Sequence, residues 1–137
     1  MECFPSKCTI DFEITQKPCL PLTRKAFSET EGRLIISVDE NIIFNEEDIL
    51  LAEFYLELVT WVSRGCTVGF RYDSMDYEES PVLEARIKRA STFISSIWLN
   101  ENFNLPIEVG KQQFIDAVKL FIYRFESELP DIKQFIN

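Results

Sequence analysis

An α+β fold is what this sequence of 137 residues predicts. The expected form is a mostly antiparallel sheet of about five to six strands with two main helices, in the order β-β-β-α-β-β-β-α. Three observations lead there. Near the N-terminus, CTIDFEI alternates Cys8, Ile10, Phe12 and Ile14 with Thr9, Asp11 and Glu13, the period of a half-buried strand. Near the C-terminus, Phe114, Val118, Phe121 and Phe125 recur at the spacing of one helical face. Between them, short apolar runs are separated by turn residues, and no linker or repeat divides the chain, so residues 1–137 read as a single domain.

The elements follow in order. Residues 8–14 form the first strand. Residues 17–30, with Pro18 and Pro21, read as a loop. Gly32 precedes the second strand, RLIISV, and Asp39-Glu40-Asn41 turns the chain into Ile42-Ile43-Phe44 to close a hairpin. Asn45 then reads as a helix N-cap, with Glu46, Glu47 and Asp48 in a first turn where acids suit the helix dipole. That helix is expected to reach Ser63 or Arg64 and stop at Gly65. Leu51, Tyr55, Leu58 and Val62 share its apolar face, and Glu46, Glu53 and Glu57 the opposite stripe. Strands are expected over residues 67–73, 82–88 and 92–99, with residues 73–80 at the tip of the hairpin between the first two. A polar loop over residues 100–104 and Pro106 lead to a last helix over residues 110–129, ended by Pro130.

Composition narrows the function. Apolar residues make up 46%, with 12 Phe, 4 Tyr and 2 Trp, enough for a dense core. The net charge is −9 and the pI about 4.5, which speaks against nucleic acid or an anionic membrane as a direct partner. The acids are concentrated: 12 of the 23 lie in two short windows without Lys or Arg, one from Asp39 to Val62 and one from Asp73 to Glu84. The N-terminus lacks the basic and apolar regions of a secretory signal, and no apolar run approaches the length of a membrane span, so a cytoplasmic protein is expected. The 4 cysteines, Cys3, Cys8, Cys19 and Cys66, form no CxxC pair and are expected as free thiols, Cys8 as a small buried hydrophobe.

Chemistry is constrained as well. With 0 His, neither a Ser-His nor a Cys-His nucleophile can form. Asp73 or Asp76 followed by Glu84-Ala85-Arg86 imitates a carboxylate-metal nuclease, but Arg86 occupies the position of the catalytic Lys and cannot give up its proton. Residues 73–79 carry oxygen donors without the glycine and spacing of a calcium loop. No glycine-rich phosphate loop is present. The expectation is therefore a protein that is not an enzyme, with no cofactor, no metal and no small-molecule substrate. Binding remains. Asp73, Asp76, Tyr77, Glu78 and Glu79 on the hairpin tip, and Glu46, Glu53 and Glu57 on the helix stripe, are the candidate contacts for a basic protein.

The layout is similar to a known group. An N-terminal hairpin runs into Asn45-Glu46-Glu47-Asp48-Ile49-Leu50-Leu51-Ala52-Glu53-Phe54, a helix ending near Trp61. The acidic FRYDSMDYEESPVLE block, Ser95-Ser96-Ile97-Trp98 and a final helix with Phe114 and Phe121 follow. This resembles the small acidic immunity proteins of contact-dependent inhibition and polymorphic toxin systems. The resemblance implies a cytoplasmic inhibitor that covers a toxin domain, often a basic nuclease, and it carries over no contact residue. The alternatives are a small structural or adaptor domain that self-associates around Trp61 or a sheet edge, and a metal-dependent hydrolase.

Overall fold

The computed structural model describes residues 7–16, 29–72, 83–96 and 107–129. Its elements are β1 (Cys8–Gln16), β2 (Glu31–Val38), β3 (Asn41–Leu50), α1 (Leu51–Ser63), β4 (Phe70–Tyr72), β5 (Leu83–Lys88), β6 (Ser91–Ser95), β7 (Ile107–Gly110) and α2 (Lys111–Glu128). The α+β class and the alternation of strand runs with helices are as expected. The strands, however, number seven among the described residues and form two antiparallel sheets, β1-β2-β3 and β4-β5-β6-β7, rather than one meander. The extra strand is β7, whose four residues are too short to show a period.

The first hairpin turns on Asp39 and Glu40, both with positive φ (51° and 71°). This is the backbone that matches the right-handed strand twist, and one that favours Asn-Gly or Asp-Gly. Asp39 is held on both sides: its N–H donates to the Lys7 carbonyl at 2.8 Å, and its Oδ1 accepts from the Lys7 N–H at 2.8 Å. Glu40 has no such support among the described contacts, and a left-handed residue with a Cβ is strained. Glu40→Gly is therefore expected to stabilise the protein by about 0.5–1 kcal/mol, read as a higher urea midpoint at unchanged slope.

The chain departs from the sequence reading after Phe44. Asn45, Glu46, Glu47 and Asp48 do not cap and open a helix; they extend β3 as far as Leu50. Strand β2 offers a free edge, and its pairing continues through Leu34↔Glu46, Gly32↔Ile49 and Glu31↔Leu50. Two register shifts, with Asp48 at φ 59°, let the strand bend while keeping Ile43, Phe44 and Ile49 in the core. Helix α1 starts only at Leu51, whose N–H donates to the Thr30 carbonyl at 3.0 Å, and it has no side-chain cap. Its end is as expected. Gly65 (φ 94°) and Cys66 turn back so that their N–H groups reach the carbonyls of Val62 and Trp61, satisfying the last turn. Gly32 also departs from expectation, since it lies inside β2 rather than before it.

Both helices pack against each other, and each touches both sheets. The core is aromatic at this junction. Phe121 of α2 meets Phe12 of β1 edge-on at 5.1 Å between ring centroids and Phe54 of α1 at 5.3 Å. Phe54 in turn meets Tyr72 of β4 at 5.3 Å. A chain of rings, Phe12–Phe121–Phe54–Tyr72, thus crosses from one sheet to the other. As the periodicity of the last helix required, Phe114, Val118, Phe121 and Phe125 are buried, and Asp116, Lys119 and Tyr123 face water. Of the strand expected over residues 67–73, Phe70–Tyr72 is formed, with Phe70 and Tyr72 buried and Arg71 outward, whereas Val68 precedes it and is 57% exposed.

Candidate functional site

The structure separates the expected contact residues. Asp73, Asp76, Tyr77, Glu78 and Glu79 lie outside the described residues, as do the loops over 100–104 and 17–28. What is described is the base of that hairpin, where Tyr72 pairs with Leu83 in antiparallel register. The second group does not form one helix stripe. Glu46 is half-buried on β3, while Glu53 and Glu57, one helical turn apart, sit on α1. Glu57 is exposed; Glu53 is half-buried, and its Oε1 is buried without a hydrogen-bond partner.

Strand β3 and helix α1 nevertheless join these acids into one continuous segment. From Leu34 to Ser63 the chain holds 7 acids, Asp39, Glu40, Glu46, Glu47, Asp48, Glu53 and Glu57, and no Lys or Arg. One cation that meets them comes from the neighbouring strand. Arg33 of β2 reaches across the sheet to bond Asn45 Oδ1 at 2.6 Å and to form an ion pair with Glu47. Sequence reasoning missed this bridge, although Arg33 precedes the buried Leu34 and so falls on the outer face of β2. Among the described residues β3 is also an edge strand. Acids and bulges along an edge keep it from pairing with other strands, a role that requires no partner.

The Glu84-Ala85-Arg86 segment, which imitates half of a nuclease site, is occupied otherwise. Glu84 sits between two guanidinium groups, with Arg86 Nε at 3.0 Å and Arg71 Nη1 at 3.6 Å, and its side chain is only 18% exposed. Its carboxylate is committed to ion pairs across β4 and β5. Among the described residues, no three His, Cys, Asp or Glu side chains are grouped so as to hold a metal ion.

The described thiols are poor nucleophiles. Burial, helped by the Asp39 carboxylate, pushes the Cys8 thiol up to about 12, and burial raises Cys66 as well, against the opposing pull of Lys119 and Lys111. Cys8 is half-buried and Cys66 buried, both free. Cys3 and Cys19 lie outside the described residues. Trp61, around which the self-association alternative places its contact, is 4% exposed and donates its indole N–H to the Val68 carbonyl at 2.7 Å. The exposed large apolar side chains on α2 are Leu120 and Tyr123. Among the described residues, no helix is long and apolar enough to cross a membrane.

Comparison with known proteins gives one match. A family model described as "Domain of unknown function (DUF7878)" covers residues 10–131. No curated protein and no solved structure matches the chain.

Proposed function

The chain belongs to this family of domains of unknown function, and we propose that it is a non-enzymatic immunity protein that binds and neutralises a basic toxin domain in the cytoplasm. The observation that carries the reading is the segment from Leu34 to Ser63, with its 7 acids and no Lys or Arg, in a chain of net charge −9. A toxin that handles phosphates is basic, and an acidic face steers such a protein into contact while covering the surface it would use on its substrate. The residues proposed to make contact are Glu46, Glu53 and Glu57 on β3 and α1, and Asp73, Asp76, Tyr77, Glu78 and Glu79 on the segment after β4.

The test uses the C-terminal domain of the secreted toxin that this reading places beside the gene. A stable complex by light scattering is expected, with association slowed by added salt. Glu46→Gln/Glu53→Gln/Glu57→Gln and Asp76→Asn/Glu78→Gln/Glu79→Gln are measured separately. At least one is expected to slow association roughly tenfold. Full protection of cells and unchanged binding by both triple variants would reject the acidic-face reading. A second reading, self-association, rests on Leu120 (55% exposed) and Tyr123 (68% exposed) on the outer side of α2. A stable dimer of the chain alone in the same light-scattering run would favour it.

A further inference from the structure

The corner where β5 turns into β6 carries charge of the opposite sign to the net charge of the chain. Lys88 and Arg89 are exposed there, and among the described residues neither has an ion-pair partner. They line an open concavity of about 570 Å³ together with Ser91 and Phe93. The floor is fixed. Phe93 stands half-buried in the middle strands of the sheet, paired with Arg86 on one side and Glu108 on the other. Ser91 Oγ donates to Glu108 Oε2 at 2.6 Å, and the Lys111 N–H donates to the Ala90 carbonyl at 2.7 Å, which pins the turn to the start of α2. Arg89 itself is held at φ 55°, a conformation that a side chain disfavours and a glycine would relieve.

We propose that this corner binds a nucleoside phosphate. Lys88 and the Arg89 guanidinium take the phosphoryl oxygens, for which a planar fork and a mobile ammonium are suited. The Phe93 ring supplies a flat apolar surface for the base. Glu108, held by Ser91, is placed beside them as an acceptor for the sugar hydroxyls. No glycine-rich loop is involved; side chains replace the backbone cradle that the sequence lacks. A net charge of −9 repels a polymer with many phosphates, which favours a small ligand carrying one or two.

Amide NMR spectra of the intact protein, titrated in separate arms with adenosine monophosphate, inorganic phosphate and adenosine, test this. The nucleotide is expected to shift the amides of Lys88, Arg89, Ser91, Phe93 and Glu108 and to saturate at millimolar excess, while phosphate and adenosine alone bind more weakly. Lys88→Gln, Arg89→Gly and Phe93→Ala are each expected to weaken binding about tenfold, the effect of losing one charge-assisted or stacking contact. Arg89→Gly also removes the strained turn, so its melting temperature is expected to hold or rise while its affinity falls, which separates lost binding from lost folding. Absence of a saturable shift, shifts centred elsewhere, equal binding of phosphate alone, or unchanged affinity in Lys88→Gln and Arg89→Gly would overturn the proposal.

Discussion

Phe121→Ala is expected to cost about 3–5 kcal/mol. Phe121 is fully buried and, among the described residues, touches three other rings: Phe12 at 5.1 Å, Phe54 at 5.3 Å, and Phe125 stacked at 5.8 Å. Its neighbours belong to β1, α1 and α2, so no single element can shift to close the hole without opening another. A domain of this size is stable by only about 5–15 kcal/mol, and the variant is expected to unfold at a much lower urea concentration. Phe121→Leu keeps most of the volume and is expected to lose less, which distinguishes a cavity from a general intolerance of change. A double-mutant cycle with Phe54→Ala isolates the direct ring contact, expected at about 0.5–1.5 kcal/mol beyond area burial. Additive losses would mean that the rings are neighbours without being coupled.

Gly32→Ala is the second large effect. A Cβ at this position in β2 would collide with the backbone carbonyl of Glu13 and lie 2.7 Å from Leu51 Cδ1. A side chain can rotate away, but the carbonyl belongs to the paired strand β1, opposite Gly32 at Ile14 and next to the bulge that follows it. Relief requires β1 to separate from β2 at the point where α1 begins. The cost is expected at the upper end for overpacking, about 3 kcal/mol. Hydrogen exchange locates it: amides of β1 and β2 around Ile14 and Gly32 are expected to lose protection before those of β5 and β6. Uniform loss across both sheets would show that the collision is absorbed globally instead.

The sequence was informative where one element decides its own structure. The alternation in CTIDFEI and the Phe114–Phe125 spacing are strong because each buried face is complete within the segment. It misled where a partner decides. Asn45-Glu46-Glu47-Asp48 has every local mark of a helix start, yet the open edge of β2 draws it into a sheet, and one left-handed residue, Asp48, is enough to redirect the chain into α1 at Leu51. The division into two sheets was not legible either, because alternation tells which side of a strand is dry and says nothing of which strand lies beside it. For the candidate contacts, exposure and charge were legible at Glu57, but placing Glu46 on the helix depended on the misread start. Arg33 and the Lys88–Arg89 corner went unremarked because isolated cations carry no motif; only the geometry around them gives them a setting.

The order of the strands has a consequence for how the molecule assembles. Each of the five recorded pairings joins strands adjacent in sequence. Contact order within the sheets is therefore low, and each sheet can nucleate from its own hairpins at a modest entropic cost of loop closure. The long closure falls on α2, which reaches back to β1 through Phe121 against Phe12 and through Arg124 on Asp11, residues 113 apart. The final helix is thus the fastener that holds the last described element against the first, and its docking closes the longest loop among the described contacts.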